Sequence, residues 1–240
     1  EGTLFENHYV QIPVCVGSRC SLLTGWYPHV GGCRSLLSFL TPTEPNFLKY
    51  LKDGGYQVRL YGKNHVLDSA SLEQSVTEYD SCGGSRTEQG SVWRESSSER
   101  DKKMGRHLFA NDYTMLFPAM EDDELEQMQD TRTVMRGVEF LDNYKKDDAP
   151  FFLFISINNP HAPYVTTRHY YDMYQPEDFT LRTADLDRQP SFVKRLREYS
   201  GFDNVVSSVF KKCAAVYQGM VTYCDDMLGR VLNALDRNGL

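Results

Sequence analysis

A cysteine and an arginine that stand four residues apart, Cys15 and Arg19, form the first candidate for chemistry in this sequence. Ser18 predicts the N-cap of a short helix that stops at Gly25, which would place Cys15 just before a helix N-terminus. Unpaired N–H groups and the helix dipole favour anions there, and Arg19 adds a positive charge. A thiol in that position is expected to be a reactive nucleophile. The segment alone equally allows Cys15 to be an ordinary core residue.

A lysine and a histidine follow the first clear helix and strand. Apolar residues within 47–51 predict a helix that stops at Gly54-Gly55, and segment 56–61 predicts a strand. Lys63 and His65 lie just beyond this strand, where functional groups gather in open α/β sheets. Two residues apart in an extended segment, they would point the same way as a cation and a titratable base.

A histidine between two prolines is the third candidate. The uninterrupted apolar run 151–157 predicts a central strand that is buried on both faces. Pro160 and Pro163 flank His161 at the exit of this run and restrict the backbone around it. His161 is therefore expected at the carboxyl end of a second strand.

The elements that must position these residues predict an α/β layered domain, because strands alternate with helices. Residues 4–14 are rich in aromatic and β-branched types and predict an extended approach to Cys15. The polar stretch 68–118 predicts an insertion or loop region. The acidic run 121–124 predicts a solvated helix start rather than a metal cluster, since acids complement the dipole there.

Apolar residues at helical spacing predict a long final helix. They are Tyr217, Met220, Val221, Cys224, Met227, Leu228, Val231, Leu232 and Leu235. Asp225 and Asp226 lie within this predicted helix.

Composition excludes several classes of protein. A net charge of −7 over 240 residues argues against a general nucleic-acid binder, which usually carries a basic surface. No apolar run is long enough to predict a membrane span. The six cysteines have no zinc-type spacing and are expected to be reduced thiols.

In their order and spacing, three segments resemble the signature of the sulfatase family. They are Cys15-Val16-Gly17-Ser18-Arg19 followed by Leu23-Thr24-Gly25, Gly62-Lys63-Asn64-His65, and Pro160-His161-Ala162-Pro163. The resemblance implies an alkaline-phosphatase-like fold, in which a central, mostly parallel sheet is flanked by helices. It also implies that residues 1–240 are part of a catalytic domain, with an N-terminal metal-binding segment and a C-terminal part outside them.

The resemblance implies a role for each candidate residue. The family converts its cysteine to formylglycine, so hydrated formylglycine at Cys15 would attack the sulfur of a sulfate ester. Arg19 would hold that residue and its charge. Lys63 would bridge the nucleophile and a sulfate oxygen, and His65 would take a proton from the second hydroxyl. His161 would contact the ester oxygen and protonate the departing alcohol, so that Lys63 and His161 both bind substrate.

The resemblance further implies a divalent cation, commonly Ca²⁺, held by oxygen ligands. The family's usual aspartate segments have no match in residues 1–240, so no metal ligand is assigned within them. Formylglycine from Cys15 is an additional candidate ligand. The expected partners are a small-molecule or carbohydrate sulfate ester and, during maturation, the formylglycine-generating enzyme.

Three alternatives remain open. A phosphonate or phosphate monoester hydrolase of the same superfamily could use the same modified cysteine. A non-catalytic, sulfatase-like binding protein is the second, because Gly17 stands where the family usually has the proline that the modifying enzyme reads. The third is a hydrolase that uses Cys15 and His65 directly.

Overall fold

The computed structural model describes residues 3–31, 35–82, 119–121, 125, 128–146, 148–162, 164–182, 185, 188–199 and 206–240. The chain divides into two compact units, residues 1–86 with 139–156 and residues 87–138 with 157–240. Its elements in chain order are α1 (Cys15–Thr24), α2 (Phe47–Asp53), β1 (Gln57–Gly62), α3 (Ser69–Ser75), β2 (Glu78–Asp80), β3 (Ala119–Glu121), α4 (Gln129–Asn143), β4 (Phe151–Ser156), β5 (Val165–Thr167), α5 (Arg168–Tyr171), a 3-10 turn (Pro176–Asp178), α6 (Ser191–Tyr199) and α7 (Ser207–Asn238).

The first unit is built on a parallel three-stranded sheet in the order β2-β1-β4. Val58 and Leu60 of β1 are fully buried. They join a core of α1, α2 and connecting residues that contains Val16, Cys20, Leu23, Leu40, Leu48, Val66, Leu67 and Val76. Parallel strands covered by helices confirm the predicted α/β class.

The predicted helix and strand before Lys63 are confirmed. The Asn46 side chain caps α2 by accepting the N–H of Lys49 at 3.0 Å. The helix ends at Gly54, and Gly55 has a φ of 91°, which favours glycine. The chain then enters β1 directly, so the carboxyl end of β1 presents Lys63.

Within the described residues, the apolar run of β4 forms an edge strand and not the predicted central strand. Among the described residues β1 is central, and β4 pairs only with β1. The strand ends at Ser156, and its preceding side chains are half-buried rather than buried on both faces. Its aromatic rings pack edge to face: Phe151 lies 5.2 Å from Phe140 and Phe152 lies 5.3 Å from Phe47, between ring centroids.

Two segments differ from the sequence-based expectations. The expected extended approach of residues 4–14 is interrupted by a turn at residues 6–7, and Leu4, Phe5 and Tyr9 are exposed. The predicted loop region 68–118 begins instead with α3 and with β2, which pairs with β1. Residues 83–118 lie outside the described residues.

The second unit contains the parallel pair β3-β5 and the long helix α7, which packs on β5 and α5. The predicted final helix is confirmed, but some of the apolar residues predicted to be buried on one face are exposed. Tyr217, Val221, Leu228 and Leu232 are 39–54% exposed, whereas Val216, Gly219, Met220, Tyr223 and Met227 are buried. The covered face is set by the position of β5 and α5, which helical spacing does not specify.

The structure describes only Glu121 of the acidic run 121–124, and this residue belongs to β3. The predicted helix start at residues 122–124 lies outside the described residues. The next described α-helix, α4, begins at Gln129, with Asp130 as the acid of its first turn. None of the helices that the structure describes has the length and apolar character needed to cross a membrane.

A prediction follows from the tight packing of α7. A Cβ at Gly219 would lie 3.0 Å from Cγ2 of Thr166 and 3.1 Å from the carbonyl oxygen of Tyr170. Gly219→Ala should therefore destabilise the protein by about 1–3 kcal/mol in urea unfolding. Gly229, in the same helix, has no atom within 4 Å of such a Cβ. Gly229→Ala is the control and should stabilise by up to about 1 kcal/mol through helix propensity; equal effects of both changes would contradict the packing.

Candidate active site

Cys15 is the first residue of α1. The N-cap is Val14, with extended backbone and no side-chain cap, and the N–H of Ser18 donates to the Val14 carbonyl at 2.8 Å. The prediction that Ser18 is the N-cap is therefore wrong, because Ser18 already lies within the helix. The stop at Gly25 is confirmed by its φ of 72°. The first-turn N–H groups, which lack intrahelical acceptors, thus start at Cys15 itself.

The Arg19 guanidinium ties α1 to the ends of β1 and β4. Its Nη1 donates to Oγ of Ser156 at 2.9 Å and, less closely, to the carbonyl of Lys63 at 3.4 Å. Burial lowers the pKa of Arg19 below its ordinary value, and the smaller opposing effect of the nearby Cys15 side chain does not reverse this. Since a guanidinium ordinarily stays charged at neutral pH, Arg19 and the helix N-terminus create positive potential around Cys15.

The segment that carries Lys63 and His65 is a turn, not an extended strand. Gly62 has a φ of 87° and His65 a φ of 41°, so the alternation argument for a common side-chain direction does not apply. The N–H of Lys63 still donates to the Ser156 carbonyl at 2.9 Å, which holds the turn against the end of β4. The half-buried His65 ring lies 5.8 Å from the Phe39 ring, between centroids.

Sequence reasoning missed two residues, Asn64 and Ser156, that hold the segment around Lys63 and the Arg19 side chain in place. Asn64 is 6% exposed; its Nδ2 donates to the Leu67 carbonyl at 2.7 Å, and its Oδ1 accepts the Leu67 N–H at 3.0 Å. Ser156, 4% exposed, accepts the Arg19 bond. An asparagine two residues after a glycine is a turn signal that could have indicated Asn64. A lone hydroxyl at the end of an apolar run could have indicated Ser156.

His161 belongs to the second unit, five residues beyond Ser156. Its side chain is exposed, its Nδ1 bonds to the Ala162 carbonyl, and its N–H donates to the Asn158 carbonyl at 2.8 Å. The structure therefore brings Cys15, Arg19 and the Lys63 backbone together in the first unit, with His65 on the same turn as Lys63, while His161 sits on a turn of the second unit.

Two of the other cysteines, Cys213 and Cys224, are poor nucleophiles. All five cysteines in the described part of the chain are free thiols, and Cys33 lies outside it. Burial, with a smaller contribution from Asp130, raises the pKa of Cys224 to about 11, and burial raises the pKa of Cys213. Both thiols stay neutral at physiological pH, which leaves Cys15 as the candidate at a helix N-terminus.

A metal site does not form from the residues that the structure describes. They contain no group of three or more His, Cys, Asp or Glu side chains that could hold an ion.

Known proteins resemble this chain in sequence and in fold. The family model for Sulfatase matches residues 1–240. An arylsulfatase of Clostridium perfringens is 25% identical over 100% of this chain and 53% of its own length. BT4656, solved in complex with its substrate D-glucosamine-2-N,6-O-disulfate, matches with a TM-score of 0.61 at 16% identity, over 98% of this chain and 55% of that one.

A second solved structure, the phosphonate monoester hydrolase of Agrobacterium radiobacter, matches with a TM-score of 0.63 at 18% identity. The match covers 96% of this chain and 51% of the hydrolase. The chain thus spans about half the length of the proteins it matches. These structures confirm the predicted alkaline-phosphatase-like fold.

The Arg19 contacts generate a prediction. Ser156→Ala removes the closer acceptor of a partly buried cation, and hydrogen bonds to charged groups are worth about 1.5–3 kcal/mol. Urea unfolding should show a loss of stability of about that size. Ser35→Ala, which removes an exposed hydroxyl of the same unit, is the control and should change stability by less than about 0.5 kcal/mol. A Ser156→Ala protein as stable as the control would show that the Arg19 bond contributes nothing.

Proposed function

Because the chain belongs to the sulfatase family, we propose that it hydrolyses sulfate esters through a formylglycine nucleophile made from Cys15. One observation carries the proposal. Cys15 is the first residue of α1, and Arg19 of the same helix bonds to Ser156 and to the Lys63 carbonyl. A sulfate ester is an anion, and negative charge builds on its oxygens as the ester bond breaks. A helix N-terminus with fixed cations supplies the stabilisation that such a reaction needs.

The proposed reaction begins when one hydroxyl of the hydrated formylglycine at Cys15 loses its proton to water and its oxygen forms a bond to sulfur, while the bond from sulfur to the ester oxygen breaks. His161 donates a proton to that oxygen, so the alcohol leaves neutral. Lys63 contacts a sulfate oxygen, and Arg19 holds the modified residue. His65 then removes the proton of the second hydroxyl, the carbon–oxygen bond to sulfate breaks, and the aldehyde is restored. Water adds to the aldehyde and regenerates the hydrate.

The second hydroxyl explains why an unmodified cysteine would not serve. Once deprotonated, it expels sulfate from carbon, so no water molecule has to attack sulfur. A thiol at Cys15 has no equivalent group and would stay blocked after the first step.

The proposed substrate class is a small-molecule or carbohydrate sulfate ester. A disulfated glucosamine is the substrate of BT4656, which shares the fold. The formylglycine-generating enzyme is the proposed maturation partner. A divalent cation, Ca²⁺, is proposed on family grounds alone, with formylglycine at Cys15 as one candidate ligand. The described residues contain no group of three or more His, Cys, Asp or Glu side chains that could hold it.

A phosphonate or phosphate monoester hydrolase is the second candidate, because a phosphonate monoester hydrolase shares the fold and both ester types are tetrahedral anions. Turnover of matched 4-nitrophenyl sulfate, phosphate and phenylphosphonate esters separates the two functions. A strong preference for either phosphorus ester would replace the sulfatase proposal.

The modification of Cys15 is the direct test. In protein from a host that has the modifying enzyme, mass spectrometry of the tryptic peptide ending at Arg19 should show formylglycine in place of cysteine. Cys15→Ala should lower turnover of 4-nitrophenyl sulfate on the order of 10⁴-fold or more, because the nucleophile is lost. Cys20→Ala, which changes a buried thiol of the same helix, is the control and should keep most activity. An unmodified thiol in an active protein would exclude the formylglycine mechanism.

Gly17 provides a second prediction. It is the third residue of α1, where N–H groups have no intrahelical acceptor, so a proline there removes no helical hydrogen bond. Gly17→Pro should therefore increase the converted fraction of Cys15 when the modifying enzyme is limiting, as measured by the ratio of the two peptide forms. Gly17→Ala is the control and should stay near the wild-type ratio. Less conversion in Gly17→Pro than in Gly17→Ala would show that this position does not limit maturation.

A further inference from the structure

A buried carboxylate holds the turn that carries His161. Asp130 lies in the first turn of α4 and is 3% exposed. Its Oδ1 accepts the backbone N–H of Asn158 at 2.8 Å. Its Oδ2 accepts the backbone N–H of Asn159 at 2.7 Å and the side-chain amide of Asn159 at 2.6 Å. All three donors are N–H groups, so both oxygens act as acceptors, as they do in an ionised carboxylate.

The hydrogen bonds of Asn158 connect Asp130 to His161. Asn158 is held at its N–H by Asp130 and at its carbonyl by the N–H of His161, 2.8 Å away. The Nδ1 of His161 bonds to the Ala162 carbonyl. Because a carbonyl only accepts, Nδ1 is the donor of this bond, which leaves Nε2 as the ring atom for the proposed proton donation.

The bonding of Asp130 is directed at the turn and not at its own helix. Acids in a first turn commonly bond the free N–H groups of that turn. Here, every hydrogen bond to the Asp130 carboxylate within the described ranges comes from Asn158 or Asn159. The next residue, Thr131, bonds to the buried Tyr223 hydroxyl at 2.9 Å and anchors this end of α4 on α7. The turn is therefore tied through Asp130 to a fixed helix end.

We propose that Asp130 is a positioning residue for His161, which fixes the Asn158–His161 turn so that Nε2 is presented to the ester oxygen. This inference rests on the proposed function, from which it takes the role of His161 as proton donor to the leaving alcohol. Asp130 touches no reacting atom and acts only through Asn158 and Asn159.

Asp130→Asn is the informative variant, because it keeps the shape of the side chain but places an N–H₂ group against N–H donors. Asn159→Ala is a milder second variant that removes only the 2.6 Å bond and keeps both backbone bonds. Asp226→Asn is the matched control. Asp226 is another carboxylate of the second unit, whose oxygen accepts the Tyr170 hydroxyl at 2.9 Å.

The kinetic test compares kcat for two sulfate ester substrates, using protein in which Cys15 has been converted to formylglycine. Proton donation contributes about 10²–10⁴-fold when the departing alcohol is a poor leaving group. Asp130→Asn should therefore lower kcat for an alkyl or sugar sulfate about 10–100-fold, and kcat for 4-nitrophenyl sulfate, which leaves without a proton, less than about 3-fold. Asn159→Ala should lower both kcat values by smaller factors than Asp130→Asn does. Asp226→Asn should change neither kcat value.

Coupling to His161 separates positioning from a general loss of structure. In a His161→Ala background, Asp130→Asn should cause no further loss of kcat for the alkyl or sugar ester, because the two residues act as one unit. Equal loss for both esters, or full additivity with His161→Ala, would overturn the proposal.

A measurement that needs no turnover distinguishes this inference from the proposed function. Nitrogen-15 NMR of the imidazole rings should show changed His161 signals in Asp130→Asn, and unchanged signals for the exposed His8 and His29. Unchanged His161 signals would overturn the role of Asp130. A wild-type protein that is modified at Cys15 but hydrolyses no sulfate ester would overturn the proposed function, while the NMR result still decides for or against Asp130.

Discussion

The hydrogen bonds of the Arg19 guanidinium are the constraint on which the site of the first unit depends. A cation withdrawn from water is costly unless its N–H groups find acceptors, and Ser156 and the Lys63 carbonyl supply them. Because Ser156 ends β4 and Lys63 follows β1, these bonds fix the start of α1 at one edge of the sheet. The position of Cys15 is thus a consequence of strand pairing as well as of its local sequence.

Features of the fold that local backbone preferences determine could be predicted from the sequence. Gly25 ends α1 with a positive φ, and Gly55 has a positive φ between α2 and β1, where an L side chain would be strained. The segments that form β1 and β4 could be recognised as strands for the same reason, because the residue types that favour a strand are read over only a few positions. The candidate residues Cys15, Arg19 and Lys63 could be placed together because each adjoins such an element.

What could not be predicted depends on which neighbour an element meets. β4 is the more apolar of the two strands, because β1 contains Gln57 and Arg59, yet only β1 has a strand on both sides among the described residues. In α7, Val221 and Leu228 have the same periodicity as Met220 and Met227, but only the two methionines are buried. Ser18 has the chemistry of an N-cap, but the helix starts at Cys15 and leaves it without that role.

The residues proposed for chemistry after the two strands lie on turns, and turns lack the ladder of hydrogen bonds that holds a helix or strand. In this chain a buried polar side chain replaces that ladder. Asn64 closes the turn that carries His65 with two bonds to Leu67, and Asp130 closes the turn before His161 with three. An unsatisfied buried amide or carboxylate is costly, so each side chain and its turn fix one another. Periodicity and charge counts overlook such residues, because their importance comes from the backbone groups they bond.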